Sequence, residues 1–333
     1  MEHDDVLCSV GAVVIGRNEG QRLDRCLASL NTIAPRLVYV DSGSTDDSID
    51  IAKRRNATVV ELDTSIPFTA ARARNTGLER LNELHPELDW VQFVDGDCEV
   101  QQSWLPAALA IANSRPTLAV VCGRRRERFP EASVFNELCD IEWDTPIGNA
   151  LACGGDALMR IEALKEVGGY DGRFIAGEEP ELCVRLRHSG YNIYRADHEM
   201  TLHDADMHHV HQWWKRAKRC GYAYAMGFDA HGAPPEEHYK SELLRSVVWG
   251  GAFPVAMLLG AAPTLGLSWL LSAGYGVSTL RAYRATRERG RARGESARYA
   301  AACTAAKFAE FQGVARYHWE KHRGKTAKII EYK

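Results

Sequence analysis

Five short apolar runs at residues 10–15, 37–40, 58–62, 90–94 and 118–122 set the strongest limit on what this chain can fold into. Segments with helical spacing separate the first four: 21–31 carries Leu23, Cys26, Leu27 and Leu30, a second helix leads to Arg54, and 70–84 reads as a third. Near-continuous apolar strands alternating with helices predict a mostly parallel sheet covered on both faces. Ligands of such sheets bind beyond the carboxyl ends of the strands. The polar clusters fall there: Arg17-Asn18-Glu19 after the first strand, Asp41 to Thr45 after the second, and Asp95-Gly96-Asp97 after the fourth.

Charge divides the 333 residues unevenly. The net charge is −3, but residues 281–333 hold 14 Lys/Arg against 5 Asp/Glu, a net of +9, leaving −12 on the rest. Just before this basic stretch, residues 246–280 run 35 positions without one charged side chain. That is membrane-like in length and polarity. Gly260 to Pro263 cuts it into pieces of 14 and 17 residues, each short of the roughly 20 that a spanning helix needs. A single crossing would also put the basic tail on the far side, against the positive-inside tendency. A hairpin leaves both sides cytoplasmic, with the six arginines from Arg281 to Arg293 against anionic headgroups rather than nucleic acid. A cut near Leu244 is then expected to release a folded catalytic body. Nine cysteines without a CxxC pair, and acidic residues ahead of the first strand, predict a reducing cytosol and no signal peptide.

Several clusters carry chemistry. Asp95 and Asp97 at a strand end can face one hard cation, Mg²⁺ or Mn²⁺. Asp41 can accept hydrogen bonds from a nucleobase or ribose, beside a turn that also caps the next helix. Arg72 and Arg74 suit a pyrophosphate. Glu178, Glu179 and Glu181 cluster around Pro180 after Gly177, more acid than helix capping requires, and one can serve as general base. Pro180 favours extended backbone at Glu179, aiming that side chain into the cleft. In the His-rich stretch 203–211, no zinc spacing occurs; His203 fits better as a further ligand of the Asp95–Asp97 cation. Gln212 to Arg216 offers aromatic faces and cations.

These segments, 10–30, 40–48, 93–97, 154–170 and 176–191, together resemble the family 2 glycosyltransferases in order and spacing over about residues 8–230. The resemblance implies an inverting, metal-dependent GT-A enzyme of the hexosyltransferase type that uses a nucleotide-diphosphate sugar. The apolar segment and basic tail resemble membrane-associated members that build exopolysaccharides or cell-envelope glycans. The resemblance further implies that Asn18, Glu19 and Asp41 contact the nucleoside, and that Asp95 and Asp97 hold the metal. His203 joins the metal or phosphate, and Gly154, Gly155 and Asp156 line the boundary between donor and acceptor. Glu179 is the base, with Glu178 as the alternative. Gln212 and Arg216 match a processive-synthase signature only loosely. The expected organisation is a catalytic domain at 1–232, with its nucleotide-sugar half at 1–123 and acceptor half at 124–232. A linker at 233–245, a membrane hairpin at 246–280 and a basic cytoplasmic tail at 281–333 follow. The expected partners are a nucleotide sugar, a glycan or lipid-linked acceptor and anionic lipids, without nucleic acid, at the cytoplasmic membrane face. Rival readings are a sugar-phosphate nucleotidyltransferase, for which the loop 16–20 is short and acidic, and a non-catalytic assembly subunit.

Overall fold

A computed structural model describes residues 7–33 and 36–324. The acidic residues Glu2, Asp4 and Asp5 and the last lysines of the tail lie outside the described residues. Two compact units emerge: 7–128 with 142–205, and 129–141 with 206–324.

The first unit is the sheet. Strands β1 (Val10–Gly16), β2 (Leu37–Asp41), β3 (Thr58–Glu61) and β4 (Trp90–Asp95) pair in parallel in the order β3-β2-β1-β4. Helices α1 (Gln21–Ser29), α2 (Ser48–Arg54) and α3 (Ala70–Leu84) connect them. β1, β2 and β4 are buried along nearly their whole length, which is why they read as unbroken apolar runs rather than alternating ones.

Past β4 the direction changes. β5 (Cys98–Val100), α4 (Trp104–Asn113) and β6 (Leu118–Glu127) follow, then, after α5 (Val134–Glu142), which belongs to the second unit but for its last residue, β7 (Gly148–Ala150), β8 (Ala157–Arg160) and α6 (Ile161–Glu166). α7 (Glu178–His188) and β9 (Asn192–His203) complete this unit. β8 runs antiparallel to both β4 and β6, β9 runs parallel to β6, and β5 and β7 pair antiparallel with β9. The parallel half anticipated from sequence thus carries a mixed extension. β6, expected to end at 122, continues to Glu127 and brings Arg125 and Glu127 with it.

The second unit is helical: α8 (Val210–His231), α9 (Lys240–Val247), a wider turn at Val248–Ala252, α10 (Phe253–Gly260), a 3₁₀ turn at Leu267–Ser272, α11 (Ala273–Glu288) and α12 (Arg293–His322). It departs from the expected layout in three ways. The boundary of the sheet unit lies near 205, not 232. The expected linker is half helix, since α9 begins at Lys240. The expected tail is a folded helix, with α12 packed along α8 so closely that a Cβ on Gly221 would lie 1.9 Å from the Glu310 carbonyl oxygen. Tyr317 donates to Asp229 at 2.8 Å and Tyr222 to Glu320 at 3.1 Å across this contact. A cut at Leu244 would strip α12 from the buried face of α8, so no clean boundary exists there. Several tail arginines are also engaged by protein: Arg287 on the Arg291 carbonyl, Arg289 on that of Ile141, and Arg291 on Asp140. Arg281 and Arg284 remain exposed.

Candidate active site

The carboxyl ends of β4, β6 and β9 and the start of α7 converge on a set of opposite charges. Arg74, on α3, is its hub. Its guanidinium is almost fully buried and reaches Asp95 at 2.8 Å, Glu179 at 2.9 Å and Glu178 at 3.0 Å. A buried arginine is stable only where its charge is matched, and three acids from two distant segments match it through Nη1 and Nη2, while Nε finds no partner among the described residues. The Arg74–Asp95 contact needs Gly155: a Cβ there would stand 2.7 Å from both Arg74 Nη2 and Asp95 Oδ2.

Arg125 provides a second clamp. It binds Asp156 at 2.8 Å and Asp95 at 3.3 Å. Asp156 in turn accepts from the Asp95 backbone N–H at 3.0 Å and from the Thr201 hydroxyl at 2.8 Å. Asp156 therefore fixes the β4 terminus. Burial opposes charge on Asp95, but Arg74 and Arg125 outweigh it and hold its carboxyl below the ordinary range.

Asp97 lies 3.4 Å from His203 Nε2, with Glu127 3.9 Å from His203 Nδ1 and the Trp143 ring edge-on to the imidazole. Asp97, Cys98 and His203 offer ligand atoms within 4.8 Å of one another, as do Asp95, Cys98 and Asp156. The carboxylates and imidazole suit Mn²⁺ or Mg²⁺; the Cys98 thiol does not suit a hard cation, and burial pushes it well above its usual range. The carboxylate and imidazole of Asp97 and His203 therefore suit a divalent cation, while Asp95 falls in the second cluster, with Asp156.

Glu178 and Glu179 do not sit on extended chain as expected. Gly177 adopts a left-handed conformation as N-cap, and α7 starts at Glu178. Pro180 occupies its first turn, where its missing N–H leaves no helical bond unmade. Both side chains reach Arg74 all the same, whereas Glu181 pairs with Arg185 one turn on at 2.7 Å. Burial, and then the neighbouring Glu178 charge, push the Glu179 carboxyl up to about 7 against the pull of Arg74.

Residues 12–168 match the sequence profile Glycosyl transferase family 2. That stretch is a family 2 glycosyltransferase domain. Succinoglycan biosynthesis protein ExoA of Rhizobium meliloti is 26% identical over 294 residues, 83% of this chain and 88% of its own. Glycosyltransferase AglE of Haloferax volcanii is 23% identical over 209 residues, 59% and 67% of the two chains. Among solved structures, the mannosyltransferase PcManGT of Pyrobaculum calidifontis, in complex with GDP-Man and Mn²⁺, superposes with a TM-score of 0.64 at 19% identity. It covers 94% of this chain and 88% of its own. That likeness is one of fold, the GT-A arrangement.

The other expected residues of the transferase domain fall into two groups. Asn18 and Glu19 lie beside the turn after β2. Asn18, at φ 57°, receives the Thr45 N–H at 2.7 Å and donates its own to Ser44 Oγ at 2.9 Å. The Glu19 N–H donates to Ser48 Oγ. Asp41 corrects the expectation of a direct nucleoside contact. It is buried, and its two oxygens accept from the Tyr39 hydroxyl, the Ser44 hydroxyl and the backbone N–H groups of Gly43 and Ser44. Four donors fill the acceptor capacity of a carboxylate, so Asp41 shapes the loop instead. Arg72 donates through Nη1 to the carbonyls of Asp63 and Ile66 and ties down that loop. Gln212 and Arg216 lie in the helical unit on α8. Gln212 caps that helix, accepting from the His208 and His209 N–H groups. Arg125, Glu127 and Trp143 were not anticipated. The charged end of an otherwise apolar strand, 124–128, was a signal for the first two; nothing in the sequence marked Trp143.

Proposed function

We propose that the chain is an inverting glycosyltransferase that moves one sugar from a nucleotide-diphosphate sugar to a hydroxyl of a glycan or lipid-linked glycan. The observation that carries this reading is the Arg74 bridge, which sets the carboxylates of Asp95 and Glu179 on the two sides of one guanidinium. Asp95, Asp97 and His203 would hold the divalent ion, and when bound that ion supplies charge stabilisation to the leaving diphosphate. Arg125 and Asp156 keep Asp95 in place. The turn joining Asn18 to Ser44 and Thr45 receives the nucleoside.

Glu179 takes the proton from the attacking hydroxyl. A carboxyl titrating near 7 suits a general base at neutral pH. The Glu178 charge beside it raises its basicity, and Arg74 keeps it from being protonated outright. The family domain, the likeness to ExoA in sequence and the uncharged run at 246–280 support a place in polysaccharide assembly at the cytoplasmic membrane face.

The test is Glu179→Gln beside Glu178→Gln, with transfer and donor binding measured on both. Glu179→Gln should lower transfer by about 10²-fold or more and leave Mn²⁺-dependent nucleotide binding intact. A dead Glu178→Gln beside a near-normal Glu179→Gln would move the base by one residue.

A further inference from the structure

The apolar run folds into a hairpin whose free length is much shorter than its sequence. Residues Lys240–Gly260 form one helical stretch of 21 residues whose most apolar 18-residue window has mean hydropathy 1.5, by length and composition enough to cross a membrane. Its first half is already used by protein. Ser246 donates to the buried Glu310 carboxylate, which also pairs with Lys307 at 2.7 Å. A Cβ on Gly250 would lie 2.0 Å from the Lys307 carbonyl oxygen. Only α10, eight residues or about 12 Å, projects further, against a hydrocarbon core of about 30 Å.

The projecting part is apolar on the outside and closed on itself. Leu259, Leu265, Leu267 and Leu270 are exposed, Leu265 to 96%. Across the hairpin, Ser268 donates to the Met257 carbonyl and Tyr275 to that of Trp249. At the tip the N–H groups of Thr264, Gly266, Leu267 and Trp269 all find carbonyls within the turn, and Thr264 Oγ1 receives the Ser268 N–H. A solvent loop has no need of this; a backbone entering lipid does, because nothing there can bond it. On the returning limb the first charges are Arg281 and Arg284, both exposed. The returning limb is back level with the base of α10 by Gly274, where a Cβ would lie 2.9 Å from the Trp249 ring and 3.5 Å from that of Phe253, and Arg281 lies about 12 Å further along α11 from Ala273, on the side away from the tip.

We propose that the hairpin 253–280 enters a single leaflet of an anionic bilayer, with Arg281 and Arg284 among the headgroups and neither end of the chain crossing. Lipid is favoured over a second copy: a two-fold contact would set these arginines against their own equivalents, whereas anionic headgroups complement them. The inference deepens the membrane part of the reading above and is independent of its chemistry, since binding is read without donor.

Full-length protein is mixed with preformed vesicles of phosphatidylcholine alone or with one quarter phosphatidylglycerol, and sedimented. Binding should favour the anionic vesicles. The triple variant Leu259→Glu, Leu265→Glu, Leu270→Glu, with an unchanged circular dichroism spectrum, should lose at least tenfold in partitioning. Arg281→Ser with Arg284→Ser should lose the anionic preference while still binding. Protease added outside should reach epitope tags at both ends. Protection of one tag would show a full crossing and overturn the single-leaflet arrangement. Unchanged binding by the triple variant would overturn the hairpin as anchor. Self-association without vesicles, abolished by the same variant, would assign the tip to a second copy. A failure of sugar transfer would leave all these results standing.

Discussion

Replacing Arg74 with Met tests the electrostatic logic of the site most directly. Met preserves length and apolar volume but removes a charge that lies 2.8–3.0 Å from three carboxylates. At an effective dielectric constant of about 20, two unit charges about 4 Å apart interact by about 4 kcal/mol, and about 1.4 kcal/mol corresponds to one pKa unit. Even with most of that recovered by entering water, Glu179 should rise by at least about one unit from its value of about 7. The acid limb of kcat/KM, which reports the free enzyme's base, should therefore move from near pH 7 to pH 8 or above. Stability should follow the same sign. A carboxyl raised in the folded state above its ordinary 4.5 holds a proton that the unfolded chain has released. Its stabilisation is present at low pH and lost as pH rises through the folded value. The variant carries this liability to higher pH than the parent. Its loss of stability should be larger at pH 8.5 than at pH 5.5 by at least about 1.4 kcal/mol, the equivalent of a one-unit shift. Urea unfolding at both pH values, together with pH–rate profiles, measures both effects. A limb that stays near pH 7, or an equal stability loss at both pH values, would show that Arg74 merely fills space.

Three further outcomes follow from the same geometry. Asp97→Ala should abolish the Mn²⁺ dependence of nucleotide-diphosphate binding, measured by calorimetry with and without EDTA; an undiminished metal effect would remove Asp97 from the ligand set. Gly155→Ala should push Arg74 away from Asp95, because its Cβ would stand 2.7 Å from both, lowering kcat/KM by about tenfold or more, the cost of roughly 1.4 kcal/mol; a fully active variant refutes that role for Gly155. Gly221→Ala should separate α12 from α8, which a Cβ 1.9 Å from a backbone oxygen cannot accommodate; overpacking of this kind costs about 1–3 kcal/mol, visible as a lower melting midpoint, and unchanged melting would show that the two helices part freely.

The strand–helix alternation, the polar clusters at the strand ends and the acidic pair after β4 were all readable from local pattern. A period of two or of 3.6 and the placement of turn residues are properties of short windows, and parallel strands bury both faces. The same holds for the hairpin break at Gly260 to Pro263. What local pattern could not reveal was how far a side chain had already been used. Asp41 and Arg72 read as donor-binding residues because their residue types suit it, yet Asp41 is committed to its own loop and Arg72 has Nη1 on the carbonyls of Asp63 and Ile66. The six arginines from Arg281 to Arg293 read as lipid contacts because charge sums ignore partners, yet Arg291 faces Asp140.

The sequence by itself determined the parallel half of the sheet, the end of it that carries the polar clusters, and the uncharged run, since each follows from residue types within a few turns of chain. Only tertiary structure decided that Arg74 joins Asp95 to Glu178 and Glu179 across 104 positions of sequence, that Arg125 and Asp156 hold Asp95 in place, and that residues 293–322 of the basic tail form a packed helix. Those contacts depend on where distant segments come to rest, and in a buried setting the proximity of charges, more than their identity, sets what each acid can do.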